Sequence, residues 1–175
     1  VKSGKFNGNF GSDTFDKQVS AGFDSQPQTP SDRSRKSARH KIMDLLARRN
    51  HSELELRQKL SRDYADEDIA DALAFARENK WMTPPEELSM RVAEELGRKR
   101  KGHRYINQFL KAKGLPPVEK DVASELRLAR EIAATKMGKP GPYDYEEQKK
   151  IHRLLANRGF DDDTIRRVFA SRSEN

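Results

Sequence analysis

The chain has no cysteine, which excludes disulfides, thiolate metal sites and cysteine nucleophiles together. Apolar material is scarce. Hydrophobic residues are 34% and charged residues 36%, with a mean hydropathy of −1.01. That is too polar for one thick core and suits thin helical modules with wet surfaces. No apolar run approaches the roughly 18 residues that a membrane span needs. No charged-then-apolar leader precedes a cleavage site, so the expectation is a soluble cytoplasmic protein without a membrane partner. No window alternates with period two, so no sheet is expected. The four histidines (His40, His51, His103, His152) fall on separate segments, none at the i, i+4 spacing of a helical metal pair.

Catalytic signatures are missing too. Gly97-Arg98-Lys99-Arg100-Lys101-Gly102 has the glycine spacing of a phosphate-cradling loop. His103-Arg104 follows where that loop needs Lys and then Ser or Thr, and a helical pattern rather than a strand precedes it. Carboxylates cluster as solvated helix faces, without an apolar setting to raise a pKa. No enzyme, cofactor or metal is expected.

What is abundant is positive charge. Lys and Arg number 35 against 28 Asp and Glu, a formal charge of +7 with a pI near 9.6. This favours an anionic partner, either nucleic acid or an acidic protein surface. Arg98, Lys99, Arg100, Lys101, Arg104, Lys111 and Lys113 form a block without an acid, a candidate contact for phosphates or carboxylates. Residues 63–78 are the reverse, with Asp63, Asp66, Glu67, Asp68, Asp71 and Glu78 against Arg77.

The pattern organising the chain runs from Arg48 to Leu60. Ser52 and Glu55 have the spacing of a capping box, in which each side chain bonds a backbone N–H left unpaired at a helix start. His51 precedes the cap as the outer half of a hydrophobic staple on Leu56, and Leu56 and Leu60 share a face. Before it, Ile42, Leu45 and Leu46 mark a first helix. After it, Asp66 is the expected N-cap of a third, with Ile69, Ala72, Leu73 and Ala76 at helical spacing. Thr83-Pro84-Pro85-Glu86 reads as another capped start, Thr83 capping and Pro84 in the first helical position.

Two later helix ends echo each other. Gly114 suits a left-handed cap with Leu115 folding back on Leu110, and Gly159 does the same with Phe160 and Leu155. Leu60, Leu110 and Leu155 then recur at roughly 45 to 50 residues, a helical-repeat period. Ile106 and Ile151 match Leu56. Tyr64 stands where the later copies have glycine, so the first turn must differ. Between Gly114 and Gly138 the stripe Val122, Leu126, Ala129, Ala133, Met137 is short for two full helices, leaving one truncated or fused to the next. Asp144 with Glu147 caps a helix carrying Ile151, and Asp161 to Asp163 open the last. Gly159→Ala is expected to cost about 1 kcal/mol through the lost cap.

Residues 1–33 lack any period and read as a disordered tail. Phe6, Phe10, Phe15 and Phe23 lie there, and the sequence does not select between idle and docking roles for them.

These motifs resemble the RecX family, bacterial regulators of the RecA recombinase. His51-Ser52-x-x-Glu55-Leu56-x-x-Lys59-Leu60 carries the match, followed by Ile69 and Leu73, Lys101-Gly102, Ile106…Leu110-x-x-x-Gly114-Leu115, and Leu155-x-x-Arg158-Gly159-Phe160 with Ile165. It covers about residues 38 to 172. The acidic pair that many members carry after the third helix is replaced by Thr83-Pro84-Pro85-Glu86, so its role does not carry over. The resemblance implies an all-α, elongated array of three tandem three-helix repeats (34–82, 83–118 and 119–175) behind the tail. It also implies a monomer that binds the RecA–DNA filament, with single-stranded DNA inside it. Filament extension, ATP hydrolysis, strand exchange and co-protease activity would be inhibited. The rival reading is an independent helical DNA-binding protein, although no helix shows the Arg, Asn and Gln cluster that reads base edges.

Overall fold

The computed structural model describes residues 37–170; the tail expected over residues 1–33 lies outside them. The described residues form eight helices and no strand. These are α1 (Ala38–Leu46), α2 (Glu53–Leu60), α3 (Asp66–Glu78), α4 (Pro85–Arg98), α5 (His103–Ala112), α6 (Val122–Met137), α7 (Tyr145–Arg158) and α8 (Asp162–Phe169).

Helix starts follow local chemistry. Ser37 caps α1, Ser52 and Glu55 close both arms of a capping box on α2, Asp144 and Glu147 do so on α7, and Asp161 caps α8. Two starts lie one residue from expectation. Ala65 is the N-cap of α3, without a side-chain bond, and Asp66 is its first helical residue beside Glu67 and Asp68, where acids complement the helix dipole. At α4 the box does not form: Pro84 is the N-cap and Pro85 the first helical residue. A proline pushes the residue before it into extended backbone, so Pro85 forces Pro84 (ψ 140°) out of the helix and leaves Thr83 a residue too far away.

The helix ends at Gly114 (φ 65°) and Gly159 (φ 84°) are the left-handed caps expected. Leu115 N–H donates to the Leu110 carbonyl at 2.9 Å, and Phe160 N–H to that of Leu155 at 3.1 Å. After α2 the chain turns differently: Asp63 and Tyr64 N–H both reach the Leu60 carbonyl.

Three apolar clusters follow one another along the sequence. The first gathers Ala38 and Ile42 of α1, Leu56 and Leu60 of α2, and Ile69, Ala72, Leu73 and Ala76 of α3. The last joins α6, α7 and α8 through Ala129, Ile132, Ala133, Ile151, Leu155, Phe160, Ile165 and Val168. In α6 the stripe is rotated from expectation, with Ile132 buried and Val122 exposed. Between them, α4 and α5 share Leu88, Leu96, Ile106, Leu110 and Leu115. Residues 114–121 form no helix there and cross this middle cluster as a strap. Side chains replace the missing helix. Ser89 Oγ donates to the Pro116 carbonyl at 2.9 Å, and Asn107 both donates to and accepts from the Val118 backbone at 3.1 and 3.0 Å.

Candidate functional site

The three clusters are tied by two junctions built from buried or half-buried polar groups. At the first, Glu55 on α2 is buried and its carboxylate serves more than the cap. It accepts from the Ser52 N–H at 3.3 Å, from both terminal nitrogens of Arg49 at 3.4 and 3.2 Å, and from Lys113 Nζ at 2.6 Å. Burial pushes the Glu55 carboxyl up, but the donors from Arg49, Lys113 and Ser52 outweigh it and hold it at about 2. Beside it Gly114 lets α2 approach: a Cβ there would stand 2.9 Å from Leu54 Cβ. His51 is also buried, its Nδ1–H donating to the Arg49 carbonyl at 2.9 Å. Burial lowers its pKa, so the neutral ring is favoured.

At the second junction, one helix start meets another helix end. Gly102 N–H donates to the Arg158 carbonyl at 2.9 Å, and Arg104 N–H to the Gly159 carbonyl at 3.1 Å. His103 N–H donates to Glu125 Oε1 at 3.0 Å. The unpaired N–H groups of α5 are thus satisfied by unpaired carbonyls of α7 and one carboxylate, and the two helix-end charges attract. Lys120 of the strap completes the junction, its Nζ bonded to Asp161 and to Thr164 Oγ1 (3.0 Å) and standing 3.6 Å from Glu125 Oε2. Burial raises the Asp161 pKa, yet Lys120 and the Thr164 N–H and hydroxyl bring it to about 2. Carboxyls held this low are fixed charges at neutral pH, unsuited to proton transfer.

The seven cations of the acid-free block are distributed around these junctions. Arg98 ends α4 and is exposed. Lys99 pairs with Glu95 at 2.5 Å on the surface. Arg100 sits in the left-handed region (φ 57°), its carbonyl 3.4 Å from Arg158 Nη1. Lys101 lies over the Tyr105 ring, 4.4 Å from its centre. Arg104 and Lys111 project from α5 into solvent, whereas Lys113 is drawn into the Glu55 junction. Sequence reasoning missed Lys120, Glu125 and Thr164 altogether. Among the described residues no helix is long and apolar enough to cross a membrane.

Stacked short-helix clusters joined by polar junctions define a tandem helical-module protein. Family models match at both ends of the described residues: the RecX first three-helix domain over residues 38–75, and the RecX third three-helix domain over residues 123–169. Regulatory protein RecX of Salmonella typhimurium strain LT2 is 31% identical over 157 residues, covering 78% of this chain and 94% of that protein. Regulatory protein RecX of Vibrio vulnificus is 32% identical over 137 residues, covering 74% and 89%. The chain belongs to the RecX family. A crystal structure of RecX from Lactobacillus salivarius has the same fold, with a TM-score of 0.63 at 17% identity, over 75% of this chain and 91% of that one.

Proposed function

We propose that this chain is a non-enzymatic regulator that binds the RecA–DNA filament in the cytoplasm. There it inhibits filament extension and, through it, ATP hydrolysis, strand exchange and co-protease activity. It acts as a monomer whose three units (34–82, 83–118, 119–175) each contribute a patch to one contact surface. The observation that carries the reading is the pair of polar junctions, in a chain of this family. Modules held at fixed spacing lose little freedom on docking, so modest contacts made together reinforce one another through effective concentration. The cations at residues 98–113 supply attraction to a partner that carries DNA and acidic protein faces.

The test is RecA ATP hydrolysis and filament growth on single-stranded DNA, titrated with this protein. Inhibition below one molecule per RecA protomer is expected, because blocking a growing end needs few copies. Unaltered growth at a several-fold excess removes the proposal. DNA affinity measured without RecA across a salt series separates the rival: tight, sequence-selective binding by this protein alone marks an independent DNA-binding protein.

A further inference from the structure

A groove opens between the Arg49–Glu55 turn and the α4–α5 pair, with a cavity of about 410 Å³. Its floor is aliphatic, made by Leu88, Val92, Leu96 and Leu115. One wall is the pair Tyr105 and Phe109, stacked with ring centres 6.5 Å apart and planes 19° from parallel. The rim is cationic: Arg49, Lys99, Lys101 and Lys113 stand around it against the carboxylates of Glu55 and Glu95. Lys101, Tyr105, Phe109 and Lys113 recur at intervals of four, placing the two ammonium groups 4.4 and 5.6 Å from the Tyr105 and Phe109 ring centres.

We propose that this groove takes an acidic peptide segment of a partner protein, with one large apolar side chain seated on the floor and carboxylates on either side meeting the rim. Two observations favour a peptide over single-stranded nucleic acid. Bases bind by stacking on open aromatic faces, whereas Tyr105 and Phe109 stack on each other and each already has an ammonium group over its ring, 4.4 and 5.6 Å from the ring centres. The floor offers aliphatic carbon, which rewards an apolar anchor and gives a phosphate chain nothing. Charge selects the flanks. The Glu55 carboxylate already takes donors from two cations and a backbone amide, so Arg49 and Lys113 share one negative charge and retain attraction for a second. The inference names the chemistry of one contact for the function proposed above, yet it stands on the groove alone and its test uses no recombinase.

The experiment is fluorescence anisotropy of the full chain with a labelled decapeptide carrying one Phe flanked by Glu and Asp. The comparisons are the same peptide with Lys for each acid, and a ten-nucleotide oligothymidylate. Binding of the acidic peptide is expected, weakening with salt, with shifts of the Val92, Tyr105 and Phe109 amide resonances. Lys101→Glu is expected to weaken it about tenfold, equivalent to roughly 1.4 kcal/mol. Val92→Asp, which spoils the floor and leaves the rim intact, is expected to weaken it at least as much, with circular dichroism confirming unchanged helicity. Equal affinity for the lysine peptide, insensitivity to Lys101→Glu, or tighter oligothymidylate binding at the same amides overturns the proposal. Absence of acidic-peptide binding by the unaltered chain overturns this inference and leaves the proposed function, whose own test is filament growth, standing.

Discussion

Gly102 lies against Gly159 so closely that a Cβ on Gly102 would stand 2.5 Å from the Gly159 carbonyl carbon. The reverse face is as tight: a Cβ on Gly159 would meet Tyr105 Cβ at 2.3 Å and the Tyr105 nitrogen at 2.6 Å. The sequence-based cost of about 1 kcal/mol for Gly159→Ala counted only the left-handed cap. With backbone in the way, that substitution is expected to cost about 3 kcal/mol or more. Gly102→Ala is the cleaner probe, since Gly102 has φ −80° and alanine adopts that backbone freely. Its loss of stability, measured by urea denaturation, reports the junction alone. A change under about 1 kcal/mol would mean that α5 and α7 separate at little cost.

Acid should loosen both junctions in one window. Glu55 and Asp161 have folded pKa values of about 2, below their ordinary 4.5 and 3.8. Between those limits the unfolded chain binds more protons than the folded one, so stability rises with pH. The contribution is complete above about pH 4.5 and lost as the pH falls toward 2. The melting temperature is expected to drop steeply across that interval, and Glu55→Gln should flatten part of the drop. An identical profile for Glu55→Gln would show that its low pKa does not stabilise the fold.

Neutralising Arg98, Lys99, Arg100, Lys101 and Arg104 should weaken filament inhibition while leaving helicity intact. The second junction uses the backbone of Gly102, His103 and Arg104 rather than these cationic side chains, so uncharged replacements do not open it. The effect should be largest at low salt, because exposed charges are screened within about 10 Å at 0.1 M. Unchanged inhibition at physiological salt would remove the block from the mechanism.

What was legible in the sequence was local. The Ser52–Glu55 and Asp144–Glu147 boxes, and the stops at Gly114 and Gly159, involve atoms within a few residues of each other, and spacing alone exposes them. The cores followed because Leu56 and Leu60, Ile106 and Leu110, and Ile151 and Leu155 each stand four apart, one helical turn. Tertiary pairing was not legible. Nothing near Lys113 in sequence points to Glu55, 58 residues away, nor near Lys120 to Asp161. The two glycines were read as caps, correctly, but their bare faces also admit Leu54 and Tyr105, which only a fold reveals. That the chain after Gly114 is short for two full helices was read from the sequence; how residues 114–121 are held was not, because Ser89 and Asn107, polar residues within helices, carry the bonds that replace a third helix.

The Glu55–Lys113 bond should prove worth more than the exposed ion pairs around it. Its carboxylate side chain is 11% exposed and the lysine 35%, against 40% and 46% for Glu53 and Arg57 on the same helix. Exposed i, i+4 pairs contribute about 0.3 to 0.5 kcal/mol, whereas a shielded charge keeps more of its attraction and costs more to orphan. A double-mutant cycle of Glu55→Gln with Lys113→Met is therefore expected to give a coupling of about 1 kcal/mol or more. The matching cycle of Glu53→Gln with Arg57→Met should stay below about half of that. Arg49 complicates the first cycle, because it donates to the same carboxylate and takes up part of the charge when Lys113 is removed. Repeating the cycle in an Arg49→Met background removes that relief, and the Glu55–Lys113 coupling should rise. A coupling that falls instead would mean that Arg49 positions the carboxylate for Lys113 rather than competing for it.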